Sequence, residues 1–288
     1  MSRFILSAFA DEISAQLDRQ MDVLEELDIH HIELRGIDGK NVADYTLDEI
    51  DGVFARMQAR GFQTSAVGSP IGKVDIREPF EEHLEKFKHV LALAQRLHAP
   101  YIRLFSFFIP EGEQPQAYRE EVLRRMQLLV DAAKGSGVTL LHENERYIYG
   151  DVPERCVEIL KSVQGGNLFA TYDPANFVHC HVRNYPHAYE MMRPYVRYLH
   201  MKDAVYEENA ARTLDMGFQN IGDVHRAPGE GEGQIAQVLR AFWESGYEGF
   251  LTLEPHLSAD PAVDGPEQFR RAYSALMKVL DQIGAKAG

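Results

Sequence analysis

The sequence predicts an α/β protein: a single (β/α)8 barrel of the TIM type spanning residues 1–288. Three observations support this. Short apolar runs alternate with helical or looser crossovers along the whole chain, eight of each. The runs are apolar and rich in β-branched or aromatic residues, as strands buried on both faces require. Runs five to eight each carry a residue of metal-ligand type at or near their end, namely Glu143, Asp173, His200 and Glu254.

The first strand is expected at 4–9 (FILSAF), followed by an amphipathic helix over 14–27 with Ser14 as its N-cap. The second strand is HIEL (31–34), and its helix covers 47–60 and stops at Gly61. FQTSAV (62–67) is the third; a Pro/Gly-rich loop separates it from a helix over 80–97. YIRLFS (101–106) precedes a long helix at 116–133, and VTLLHE (138–143) precedes one opened by Pro153. LFATYD (168–173) leads into a looser segment through Pro194, and VRYLHMK (196–202) into a long polar insertion and a helix at 234–244. FLTLE (250–254) and a helix at 267–283 complete the pattern. The insertion at 204–233 is too long for an ordinary βα turn, and long βα loops in barrels carry substrate contacts or form lids.

With 288 residues, 45% of them hydrophobic, the chain can bury a large single core. Its 30 Lys+Arg against 44 Asp+Glu give a formal charge of -14 at pH 7. That balance repels phosphate backbones and anionic lipid surfaces, so neither nucleic acid nor membrane is an expected partner. No apolar run approaches the ~18 residues of a membrane span. Two cysteines, Cys156 and Cys180, without metal-ligand spacing, suit a reducing compartment. The first residues lack the long apolar core of a signal peptide, which makes a cytoplasmic location the expectation.

In a parallel barrel all strand C-termini open onto one face, so residues far apart in sequence converge there. Taken singly, a carboxylate at a strand end is ordinarily a solvated loop residue or an N-cap. A single histidine is ordinarily a hydrogen-bonded structural one. The coincidence of Glu143, Asp173, His200 and Glu254 on four consecutive strands points instead to one divalent metal ion. Three carboxylates and an imidazole suit Mn2+, Mg2+, Co2+ or Zn2+.

The segments HENE, YDPAN, HMKD and LEP, in that order and spacing, together with ELRGIDGKN, resemble the xylose isomerase-like barrel superfamily of sugar isomerases and epimerases. The resemblance covers essentially the whole chain. It implies that Glu143, Asp173, His200 and Glu254 hold one divalent ion, with Mn2+ favoured. It also implies that Glu143 and Glu254 form an acid/base pair and that Glu33 contacts a small carbohydrate substrate. Barrels of this kind often form homodimers. Two positions depart from the better-known ketose epimerases: Asn176 stands where a His is common, and Tyr206 where an Arg is. The departures leave the metal set intact and argue against a free ketohexose.

Such a site moves a proton α to a carbonyl through an enediolate, which allows epimerisation, aldose–ketose isomerisation or, with loss of a β-hydroxyl, dehydration. Glu145 and His256, each two residues past a ligand glutamate, are alternative bases. Lys73, Arg103, Asn176, Lys202 and His256 are the further candidates for substrate contact, with Ser106 nearby and with Lys202 alternatively paired to Asp203. Pocket selectivity is expected in the loops 70–79, 107–114 and 204–233. The His179-Cys180-His181 run is a weak second metal site, and Gly229, Gly231 and Gly233 read as a turn rather than a phosphate cradle. An endonuclease IV-like reading needs a basic face and more metal histidines, and the charge opposes it.

Overall fold

The computed structural model describes residues 4–206, 224–258 and 260–287. Eight parallel strands close a barrel: β1 Phe4–Ala8, β2 His31–Leu34, β3 Gln63–Gly68, β4 Tyr101–Leu104, β5 Thr139–Glu143, β6 Leu168–Tyr172, β7 Val196–Met201 and β8 Gly249–Leu253. Each pairs with its sequence neighbours, and β1 meets β8 from Phe4↔Gly249 to Ala8↔Leu253. Helices α1 Leu17–Glu26, α2 Leu47–Ala59, α3 Glu81–Arg96, α4 Arg119–Ala132, α5 Pro153–Ser162, α6 Pro174–His179, α7 Ile235–Glu244 and α8 Pro261–Ile283 are distributed along the crossovers. Among the described residues no helix is long and apolar enough to cross a membrane.

The predicted strands fall within one or two residues of these spans, and α2 shows why its boundary was legible. Thr46 Oγ1 accepts from the Glu49 N–H at 3.2 Å while Glu49 Oε2 accepts from the Thr46 N–H at 2.7 Å, a reciprocal capping box. Three expectations need correction. Ser14 does not cap α1: the N-cap is Gln16, and the Leu17 N–H is satisfied by Asp38 Oδ1 at 2.9 Å from the next βα loop. The segment after β6 is helical in pieces, at Pro174–His179, Asn184–Ala188 and Tyr189–Met192. The last helix begins at Pro261 rather than at 267, capped by Asp260, which accepts from the Ala262 N–H at 3.0 Å. Of the 204–233 insertion, residues 207–223 lie outside the described residues.

Alternation along the strands builds the site. Side chains two apart share a face, and inside the barrel Leu141, Tyr198 and Ala66 form a small cluster apart from the main core, packed by Tyr101, Phe169 and Phe250. Two residues beyond Leu141 and Tyr198 stand Glu143 and His200. Two beyond Tyr101 stands Arg103, and four beyond Phe169 and Phe250 stand Asp173 and Glu254. The apolar plug near the strand starts therefore continues into a polar layer at the strand ends.

Candidate metal centre

Glu143, Asp173, His200 and Glu254 are all buried, and one ligand atom from each lies within 4.8 Å of the others. Opposite ligands of an ion bound at ~2.1 Å stand ~4.2 Å apart, so small side-chain adjustments would close the four around one cation. His200 Nδ1 faces Glu143 Oε1 at 3.1 Å and Glu254 Oε2 at 3.4 Å, while Nε2 lies 2.9 Å from Glu33 Oε2. Asp173 Oδ2 and Glu254 Oε2 are buried without a well-formed hydrogen bond. Lys202 Nζ stands 2.8 Å and 3.6 Å from them. Unsatisfied buried carboxylate oxygens beside an imidazole nitrogen are a donor set that suits a divalent ion.

The cations around the quartet set its protonation. Burial alone would raise the Glu143 carboxyl, but His200 and Arg103, whose Nε is 3.1 Å from Oε2, hold it down to about 2. Glu254 is held well below its ordinary value against burial by Lys202 and His256. Asp173 is different: burial pushes it up to about 7 despite Lys202. Burial would lower His200, but Glu33 and Glu143 outweigh it and raise the imidazole well above 6.5.

A cavity of about 570 Å³ opens over this layer. Arg103, Lys73, Asn176, Lys202 and His256 all line it, as do Glu143 and Glu254. Arg103 Nη1 donates to the Ser69 carbonyl at 3.1 Å, and Asn176 Nδ2 donates to Glu143 Oε1 at 3.2 Å and the Asn144 carbonyl at 2.9 Å. Lys73 pairs with Glu145 at 3.1 Å above the Phe105 ring. Glu33 is not among the lining residues; it is entirely buried between His200 and Arg103. Lys202 pairs with the quartet rather than with Asp203.

Asp203 instead organises the glycine-rich turn. Its carboxylate accepts from the N–H groups of Ala204, Gly229 and Gly231 at 2.9 Å and of Gly233 at 2.8 Å. A Cβ on Gly231 would lie 2.5 Å from Asp203 Oδ1, which explains the glycine. These N–H groups are committed to a side chain, so the turn is not a phosphate cradle. The His179-Cys180-His181 run does not converge: His179 Nε2 faces His225 Nε2 at 3.4 Å, while His181 packs on the Tyr206 ring.

A network not anticipated from the sequence lies beside Glu254. Arg35 Nη1 donates to Glu254 Oε1 at 2.9 Å, and its other nitrogens reach Asp11 at 2.7 and 3.0 Å and Glu12 at 3.4 Å. His256 Nδ1 lies 2.9 Å from Glu12 Oε1, its Nε2 lies 3.3 Å from Glu254 Oε1, and its N–H donates to Glu12 Oε2 at 2.7 Å. Burial would lower this imidazole, but Glu12 and Glu254 raise it to about 9. Glu12, Glu254 and His256 also present ligand atoms within 4.8 Å, yet the Arg35 guanidinium already supplies the positive charge between the two acids.

The closed barrel and the buried acid–acid–His–acid cluster at its mouth define a class: (β/α)8 barrels with a candidate single-metal site at the strand ends. The chain belongs to the xylose isomerase-like TIM barrel family, whose sequence model matches residues 12–279. No curated protein matches the sequence. Among solved structures it is similar to the IOLI protein with a binding zinc atom, at TM-score 0.74 and 17% identity over 97% of this chain and 99% of that one. It is also similar to the probable 3-DHS dehydratase AsbF, involved in petrobactin synthesis, from Bacillus anthracis (TM-score 0.72, 15% identity, 96% and 99% covered). A third similar structure is D-psicose 3-epimerase with D-tagatose from Clostridium cellulolyticum H10 (TM-score 0.70, 13% identity, 97% and 99% covered). At these identities the likeness shows the fold.

Proposed function

We propose that the protein is a divalent-metal-dependent isomerase or epimerase of a small carbohydrate, with Mn2+ as its ion and Glu143 and Glu254 as its acid/base pair. The observation that carries this reading is the buried quartet, with ligand atoms within 4.8 Å and two carboxylate oxygens that lack a well-formed hydrogen bond and are faced by Lys202, beneath a cavity of about 570 Å³. The ion would polarise a substrate carbonyl and offset the charge of the enediolate. Glu143 and Glu254 flank His200 Nδ1 from β5 and β8. One takes the proton α to the carbonyl. The other, once it has itself taken up a proton (for Glu254, from His256 Nε2 at 3.3 Å), delivers one to the opposite face of the same carbon for epimerisation. Return of the abstracted proton to the neighbouring carbon gives isomerisation instead. Arg103 and Asn176 fix Glu143, and Arg35 and His256 fix Glu254, so each carboxylate is held for the transfer.

The test is proton NMR in D2O with Mn2+ and a panel of ketoses, sugar phosphates, inososes and keto acids. Deuterium should enter at the carbon α to a carbonyl, and Glu143→Gln or Glu254→Gln should abolish the uptake. No uptake from any compound, with no metal found by elemental analysis, would sink the reading.

A second reading has one observation in its favour. His256, held by Glu12 beside Glu254, is a third proton carrier at the cavity wall. A donor there could protonate a departing β-hydroxyl, which would make the protein a sugar or cyclitol dehydratase. An enone absorbance or a mass loss of one water separates the two.

A further inference from the structure

The chain carries 44 acidic against 30 basic residues, yet Arg35, Lys40, Lys73, Arg103, Arg146 and Lys202 all line the cavity described above. Five of these six are committed to carboxylates. Arg35 pairs with Asp11, Lys40 with Glu49, Lys73 with Glu145, Arg103 with Glu143 and Lys202 with Asp173. Arg146 differs. Its backbone N–H donates to Glu145 Oε1 at 2.9 Å, but its half-buried guanidinium makes no hydrogen bond or ion pair among the described residues: it lies 5.4 Å from the Tyr147 ring centroid and acts on the Glu145 carboxyl only through space. A guanidinium drawn partly out of water without an acceptor is an unfinished interaction.

The surroundings define what would complete it. Lys73 and Glu145 cancel at 3.1 Å, so Lys73, Glu145 and Arg146 together present one net positive charge to the cavity. That matches a carboxylate, whereas a phosphate monoester brings about -1.5 to -2 at pH 7. The planar fork of an arginine also takes both oxygens of a carboxylate at once. Burial, Arg146 and Lys202 push the neighbouring His179 imidazole down to about 3, leaving it neutral and adding no further positive charge.

We propose that the substrate carries a carboxylate, received by Arg146 at the cavity wall, so that the class is a sugar-derived keto acid rather than a neutral ketose or a sugar phosphate. The proposal rests on the reading above only in taking this cavity as the substrate site.

Two measurements test it. The first compares, by deuterium exchange with Mn2+ present, a 2-ketohexose, its 6-phosphate and the corresponding 6-carboxylate. The carboxylate should have the highest kcat/KM, and Arg146→Gln should lower its advantage over the neutral ketose by about ten- to a hundredfold, the scale of a lost charged hydrogen bond. Arg146→Lys should restore part of it. Preference for the 6-phosphate, or equal use of the neutral ketose, overturns the proposal while leaving the proton-transfer reading standing.

The second is calorimetric titration of the Mn2+-loaded protein with the unreactive six-carbon aldonate. Binding that weakens by the same factor in Arg146→Gln upholds the proposal even if no compound exchanges, a result that would count against the reaction instead. Binding unchanged in that variant, or absent from the parent protein, overturns it.

Discussion

Replacing Glu33 tests how His200, the histidine of the proposed metal site, is set. Its carboxylate is entirely buried, with Oε2 2.9 Å from His200 Nε2 and Oε1 3.6 Å from Arg103 Nε. A neutral imidazole has one N–H. If Nε2 gives it to Glu33, the Nδ1 lone pair faces Glu143 and Glu254, where an ion would sit. In Glu33→Gln the amide can offer its NH2 to Nε2 instead, moving the proton to Nδ1 and blocking that ligand. Loss of such a partner typically costs ten- to a hundredfold in metal affinity, about 1.4–2.7 kcal/mol. Gln keeps the volume, so the barrel should remain folded. The assay is competition for Mn2+ against a fluorescent chelator, with circular dichroism to confirm folding. Folded Glu33→Gln protein binding Mn2+ within threefold of the parent would refute the orienting role.

Three further outcomes follow from the same geometry. Without an ion, His200 holds its proton well above its ordinary range and Asp173 is pushed up to about 7, so binding must expel protons. Mn2+ affinity should therefore rise from pH 6 to pH 8, and calorimetry in two buffers should show release of about one proton or more; a flat profile would count against these ligands. Asp203→Ala strands four backbone N–H groups and should lower unfolding free energy by about 3 kcal/mol in urea titrations, whereas a loss below about 0.5 kcal/mol would dismiss Asp203 as the turn's organiser. His142, buried against Ser106, is lowered by burial to about 4. Its unfolded form takes up a proton below pH 6.5 that the folded form refuses, so stability falls from pH 6.5 towards pH 4 by about 3 kcal/mol. The stability advantage of the parent over His142→Asn should shrink across that window, and a constant difference would refute this.

The strands and the quartet were legible because both follow from local pattern. Apolar runs of strand length bounded by Gly and Pro mark the barrel, and period two carries Leu141 to Glu143 and Tyr198 to His200 on the inward face. The start of α8 was not legible, because Gly265-Pro266 reads as a break. Here the glycine is needed for contact rather than for a turn: a Cβ on it would lie 2.4 Å from the Ile13 carbonyl oxygen. The α1 cap escaped because Asp38 reaches Leu17 across two loops. The Arg35–Glu12–His256 network escaped for the same reason, since Glu12 and His256 stand 244 residues apart and meet only when the barrel closes. Asp203 left a trace that can be read in retrospect: glycines at 229, 231 and 233 point three N–H groups inward, and some acceptor must satisfy them.

The charge around the quartet explains how three carboxylates and Glu33 can be buried together at all. Buried acids at such distances would ordinarily take up protons. Asp173 moves that way, while Glu143 and Glu254 stay ionised because Arg103, His200, Lys202 and His256 lie within ion-pair reach of them. Lys202 therefore occupies, in charge if not in position, part of the role of an ion. A cation drawn to Asp173 Oδ2 and Glu254 Oε2 competes with Lys202 for those oxygens, and what it displaces is an ammonium already on the cavity wall.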